Sequence, residues 1–399
     1  MKFPLAFILV LVTVIGCTPT PTPQVKTSVP PATHTPYPAA TYTLWPTPVP
    51  PTTDQDKPDV EATASPVPVS SGYSFKFRYA CLNRSLKPCE MLEAPGGMMD
   101  RIRERTNGQV DIQITSFSEA GLDGFDTLWL LEDGTIEMAE VFSGYVEDDY
   151  PPIGAVNLWG LIPDNEINLK IIDAVSAPIR ADLLEQFGAV VIGESYYPNN
   201  YIYATRPVRA VSDFAGMKIR SHSIALADLI DAMGAEALFM SPSEVHTGLE
   251  RGILDAAVTC GSCGASLGWF EVADHLVGPL VALGVTYISI NEDRWNEIPD
   301  DMQAIILEEG AANAAQNREL VVGDWAKKGI SENEAGGMEY LEFSPEIKAA
   351  LKKFSMEHVV PNWVDRVGGA DTPAVTMFNT HVAPVLGVVI DSEGNANQD

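Results

Sequence analysis

The sequence predicts an α/β protein with parallel or mixed sheets, helices on both faces and a division into two lobes. Three observations carry that expectation. Strand and helix patterns alternate from Tyr73 to Val141, the alternation resumes from Ala189 to Val258, and about 330 residues follow the proline-rich N-terminal region, a length that suggests two lobes.

The first alternation begins with Tyr73 to Tyr79, where aromatic and polar residues take turns as on a strand. Pro95 to Thr106 has helical spacing and stops at Asn107-Gly108, a turn pair, before the strand pattern Gln109 to Ile114. Thr127 to Glu132 reads as a helix, Asp133-Gly134 as its stop and Thr135 to Val141 as a strand. Later strands are expected over Ala189 to Ile192, Asn200 to Thr205, Met217 to Arg220, Ala237 to Met240 and Ile253 to Val258. Helices are expected over Ser223 to Met233 and Ser243 to Arg251. Pro299-Asp300-Asp301 opens a helix of about 30 residues running past Trp325, long enough to act as a spine for both lobes. In sheets of this kind, ligands sit beyond the carboxyl ends of the strands.

Upstream of the folded body, Lys2 leads into the apolar run Phe3 to Ile15, too short to span a bilayer, which needs roughly twenty residues. Residues 1–17 therefore read as a signal peptide. Val14-Ile15-Gly16-Cys17 closes it with the pattern read by bacterial lipoprotein signal peptidase, which makes Cys17 the expected lipidated N-terminus. Residues 18–71 are rich in Pro, Thr, Ser, Val and Ala and bury too little apolar surface to offset ordering, so an extended tether is expected. The resulting location is the outer face of the cell membrane, with the lipid as the only membrane contact. A net charge of −29 argues against a nucleic-acid partner, which requires a basic face.

Besides Cys17 there are Cys81, Cys89, Cys260 and Cys263, two close pairs compatible with local disulfides outside the cytoplasm. Cys260 and Cys263 also have CxxC spacing, but the Gly/Ser-rich surroundings read as a loop after a strand, whereas redox pairs sit at a helix N-terminus. A metal site using them with His222 or His246 would need further ligands from elsewhere. No nucleophile elbow, metalloprotease helix or phosphate loop is present, and no cofactor is implied.

Arg206-Pro207-Val208, Ser212 to Arg220, Met233-Gly234-Ala235, Ser243-Glu244-Val245, Gly248-Leu249 and Gly252 to Asp255 together resemble the solute-binding subunits of TRAP (tripartite ATP-independent periplasmic) transporters. Thr106 to Val110, Gly134 to Met138, Tyr150-Pro151-Pro152 and Asn296 to Pro299 are similar to other stretches of that family, so the likeness runs from about Phe75 to Val367. It implies a two-lobed periplasmic-binding-protein-like fold with crossing hinge strands and a long helix shared by both lobes. The body would span residues 72–385, with one lobe over about 72–200 and 283–325, the other over about 201–282 and 326–385, and a tail over 386–399.

The resemblance implies a receptor for a small organic acid, not an enzyme, working with TRAP membrane subunits. Arg220 matches the arginine that binds the substrate carboxylate there. Its planar fork of donors fits two carboxylate oxygens and stays charged at any relevant pH. Arg206 either helps hold the ligand or braces the hinge. Thr259 and Cys260 fall on the opposite wall, where the family often carries Asn or Glu, and Phe142, Ser143 and Tyr79 fall at strand ends that line the family's cleft. Ser221-His222-Ser223 and His246 depart from the family's pattern, so the identity of the acid stays open. Sensing for a surface receptor is an alternative to transport that the residues do not separate.

Overall fold

The computed structural model describes residues 74–398. The expected signal segment with Cys17 and the tether 18–71 lie outside the described residues.

Two sheets organise the body. The first has strand order β2-β1-β3-β10-β4 and is built from β1 (Phe75–Cys81), β2 (Val110–Ser116), β3 (Met138–Phe142), β4 (Ala189–Tyr197) and β10 (Gly284–Asn291). β1 is parallel to β2 and β3, while β10 runs antiparallel between β3 and β4. The second has order β11-β9-β5-β8-β6-β7, from β5 (Asn200–Ala204), β6 (Lys218–Ser221), β7 (Glu236–Phe239), β8 (Ala256–Cys260), β9 (His275–Leu280) and β11 (Glu339–Glu342). There β6 is parallel to β7 and β8, and β5 runs antiparallel to β8 and β9. Both sheets are mixed, each with helices packed on it, as the alternation of periods requires.

Helix boundaries follow local chemistry. α1 (Lys87–Glu93) has no counterpart in the sequence reading, and α2 (Met98–Arg105) is shorter than the span Pro95 to Thr106. α3 is Thr127–Glu132, as its apolar spacing predicts. α4 (Asn165–Phe187) starts where the Asp164 carboxylate accepts the Ile167 N–H and stops at Gly188, whose φ of 56° is the left-handed cap that glycine takes at least cost. α5 (Ile224–Ala232), α6 (Pro242–Glu250) and α7 (Gly261–Ser266) follow β6, β7 and β8.

The chain passes between the sheets at β4 to β5, at β9 to β10, and a third time along its longest helical stretch. The single helix expected there is two: α8 (Asp300–Val322) on β4 and α9 (Asp324–Ala335) on α7, divided at Gly323. A Cβ at Gly323 would lie 2.9 Å from the Glu319 carbonyl oxygen, so glycine permits the bend that a side chain would obstruct. The C-terminal helices belong to neither sheet alone, since α10 (Val360–Arg366) packs on α5 while the helical segment 373–386 packs on α4. Within the expected tail, β12 (Val388–Ile390) and β13 (Ala396–Gln398) pair as a hairpin. No helix of the described residues is long and apolar enough to cross a membrane.

Candidate functional site

A pocket lies where the carboxyl ends of the parallel strands of both sheets converge. β1 leads into Leu82 and Leu86, β3 into Phe142 and Tyr145, and β6 into Arg220 and His222. β7 leads into Pro242, and β8 into Thr259, Cys260 and, through α7, Cys263 and Leu267. The crossovers between the sheets add Tyr197, Asn200 and Gly284.

Arg220 is buried on β6, flanked by Leu238 of β7 and Ala257 of β8. Side chains alternate along a strand, so Ile219 turns into the core and Arg220 turns the other way, toward the cavity. Its Nε donates to the Met240 carbonyl at 2.9 Å, Nη1 to the Val258 carbonyl at 2.8 Å, and Nη2 reaches the Tyr145 hydroxyl at 3.5 Å. Among the described residues no carboxylate pairs with it. Burial pulls its pKa below the usual arginine value, with only Tyr145 opposing. A buried guanidinium with neutral partners is an incomplete ion pair, and each terminal nitrogen keeps a hydrogen free for an incoming anion.

The remaining polar groups of the wall are mostly engaged. Tyr197 donates to Glu140 at 2.8 Å, and the other oxygen of Glu140 accepts the Leu82 N–H at 2.8 Å. That buried carboxylate, its pKa raised by desolvation, therefore fixes two residues of the cavity wall without entering it. Asn200 donates to the Ala282 carbonyl at 3.2 Å and its Oδ1 lies 3.3 Å from His222 Nε2. His222 packs edge-on to Phe142 and Trp159, and burial beside Arg220 holds its imidazole neutral, with a pKa well below 6.5.

Of the residues singled out in the sequence, the structure gathers Arg220, Thr259, Cys260 and Phe142 at the cavity. Tyr79 does not line it: its ring is buried among Phe77, Cys89, Met98 and Ile288 behind the strand end. Arg206 is exposed and donates to the Asp213 carbonyl, away from the cavity. Ser143 is buried beside the site without lining it. Tyr145, Tyr197 and Asn200 are not among the site residues that the sequence singles out. The last two could have been found from their place at the junction of two consecutive strand patterns, where the chain changes sheets.

Cys81 is bonded to Cys89 and Cys260 to Cys263. The second pair is not in a loop, because Cys260 is the N-cap of α7. The helix position expected of a redox pair is thus present. Both cysteines are nevertheless buried at the pocket wall, and thiol exchange requires access for the attacking thiolate. His222 is packed in the wall and His246 lies 3.5 Å from Glu271 on the surface. Among the described residues no group of three or more His, Cys, Asp or Glu is placed to hold a metal ion.

Comparison with solved structures shows the same two-lobed α/β architecture. A Bordetella pertussis extracytoplasmic solute receptor binding pyroglutamic acid superposes with a TM-score of 0.71 at 17% identity, over 78% of this chain and 99% of that one. A TRAP periplasmic solute-binding protein from Desulfovibrio salexigens with bound orotic acid gives 0.71 at 18%, over 78% and 100%. One from Sulfitobacter sp. NAS-14.1 with bound β-D-galacturonate gives 0.68 at 19%, over 77% and 99%. At these identities the likeness is one of fold. Among curated sequences, a Sulfitobacter solute-binding protein is 23% identical over 55% of this chain and 67% of its own length. A Salmonella typhimurium protein, YiiZ, is 29% identical over 39% of this chain and 49% of its own length. The sequence model described as DctP, bacterial extracellular solute-binding protein, family 7, matches residues 91–363. With that match covering well over half of the chain, and with the shared two-lobed fold, the protein belongs to the bacterial extracellular solute-binding protein family 7.

Proposed function

We propose that this protein captures a small organic carboxylate outside the cytoplasm and delivers it to the membrane subunits of a TRAP-type secondary transporter. The observation that carries the reading is Arg220, a buried guanidinium whose partners are two carbonyls and a phenol and which, among the described residues, has no acid paired with it. A carboxylate completes the pair, and the low dielectric around the buried guanidinium strengthens it. Organic acids bound by structural neighbours, among them pyroglutamate, orotate and galacturonate, support the same class. In this reading residues 72–200 with 283–325 and 201–282 with 326–385 close on the ligand, and a lipid on Cys17 with the tether 18–71 keeps the body at the outer face of the membrane.

A thermal-shift screen of mono- and dicarboxylates, keto acids and sugar acids tests it. A ligand present at a hundredfold excess over its dissociation constant stabilises the folded state by about 2.7 kcal/mol, several degrees for a body of this size. Arg220→Ala then weakens the hit by about 3 to 5 kcal/mol, and Arg220→Lys, which keeps charge but loses the fork, restores part of that. A folded Arg220→Ala protein binding as tightly as wild type would end the proposal.

A further inference from the structure

We infer that the ligand is a compact monocarboxylate with an apolar aliphatic or aromatic body, and that dicarboxylates and polyhydroxylated sugar acids are poor ligands. The inference rests on the reading of Arg220 as the carboxylate anchor and adds to it the chemistry of the rest of the wall.

Charge excludes a second acid group. Among the described residues Arg220 is the sole Arg or Lys lining the cavity, and His222 is held neutral by burial and by Arg220 itself. The carboxylate of a bound ligand neutralises the guanidinium, and a further carboxylate in the same enclosure would be a desolvated charge without a partner.

Hydrogen bonding excludes a polyol. Tyr197 donates to Glu140, Asn200 donates to the Ala282 carbonyl, and the Asn200 oxygen and His222 Nε2 face each other. Among the described residues, open polar groups at the wall reduce to the Arg220 terminal nitrogens, the Tyr145 hydroxyl that stands 3.5 Å from one of them, Thr259, the unpartnered His222 Nδ1 and the second Asn200 amide hydrogen. The first two are committed to the carboxylate, which leaves too few groups to satisfy all the hydroxyls of a sugar acid. The surface facing the body of the ligand is instead Leu82, Leu86, Phe142, Pro242 and Leu267, with the sulfurs of the Cys260–Cys263 disulfide. Such a wall favours methylene or aryl carbon and leaves each buried hydroxyl unsatisfied.

The experiment is calorimetric titration of the purified full chain with 4-methylpentanoate, phenylacetate, succinate, D-glucuronate and 4-methylpentanamide. At least one apolar monocarboxylate should bind about a hundredfold or more tighter than glucuronate, the factor left by two unpaired buried hydroxyls, and about a hundredfold or more tighter than succinate, whose second carboxylate would be desolvated without a partner. The amide should bind far more weakly than its acid. Leu82→Asn and Leu267→Asn, both at half-buried wall positions, should narrow the gap to glucuronate by about tenfold by supplying a partner for a hydroxyl. Succinate or glucuronate binding as tightly as the monocarboxylates, with binding lost in Arg220→Ala, overturns the ligand class and leaves the anchor standing. An amide that binds as well as its acid overturns the anchor. Absence of binding by both apolar monocarboxylates overturns the class.

Discussion

The Glu147 carboxylate accepts the backbone N–H of Ala225 at 2.9 Å, placing an acid from the segment after β3 on the first turn of α5, directly beyond Arg220 and His222. The N-terminal end of a helix favours negative charge, yet Glu147 is buried, and desolvation raises its pKa to about 7. Arg366 on α10 opposes the rise and Asp228 on α5 adds to it, and those two are themselves paired at 2.7 Å.

A pH dependence follows from that acid. Between the ordinary glutamate value of 4.5 and about 7 the folded protein keeps a proton on Glu147 that the unfolded chain has released. Stability therefore falls as pH rises through that window, and the loss, roughly 3 kcal/mol for a shift of this size, is complete above it. Glu147→Gln should flatten the denaturation free energy between pH 5 and 8 relative to wild type. Parallel curves for the two proteins would contradict this assignment.

Packing between α8 and β4 gives a steric prediction. A Cβ on Gly310 would stand 1.8 Å from the Ile192 carbonyl oxygen and 3.1 Å from Gly193 Cα, backbone atoms that cannot rotate aside. Gly310→Ala should lower stability by about 3 kcal/mol or more in urea denaturation. Gly216→Ala is the control: its φ of 71° is strained for alanine but nothing lies within 4 Å, so the cost stays near 1 kcal/mol. Equal losses at the two sites would show that α8 moves off β4 to make room.

The Cys260–Cys263 bond closes a short loop at the cavity wall, and in the chain-entropy account so short a loop contributes only about 2 kcal/mol. Its larger effect should be local, on the wall that presents Thr259. Cys260→Ala with Cys263→Ala should therefore weaken ligand binding by more than it lowers global stability. Free thiols at both positions in protein purified without reductant would rule this out.

Anchoring is tested at Cys17. Wild-type protein should partition with membranes and incorporate a radioactive fatty acid precursor, while Cys17→Ser should incorporate none. Equal labelling of both would remove the lipid from the proposal.

Local order was legible wherever short-range chemistry sets it. The expected strand Asn200 to Thr205 and helix Ser223 to Met233 lie within a residue of β5 and α5, because alternation, Ser223 as a cap and the Gly234 turn all act over a few residues. Arg220 was legible as the candidate anchor, now at the pocket wall, through its place at the end of a strand pattern and through the family motif around it. The expected spine from Pro299 past Trp325 runs through Gly323, and a glycine inside a helical pattern costs only about 1 kcal/mol by itself. The break depends on α8 and α9 packing against different sheets.

The chain by itself thus determined the period of its elements, the order in which they alternate and the presence of one arginine suited to an acid. Those properties reside in neighbours a few positions apart. Only the tertiary structure decided which strand ends face one another, and with that the chemistry of the site. It buried Tyr79 behind the wall, left Arg206 in solvent, brought Tyr145 to Arg220 across 75 positions of sequence and left that guanidinium without an acid among the described residues. Desolvation and pairing are properties of a residue's surroundings in space, and residues distant in the chain supply them.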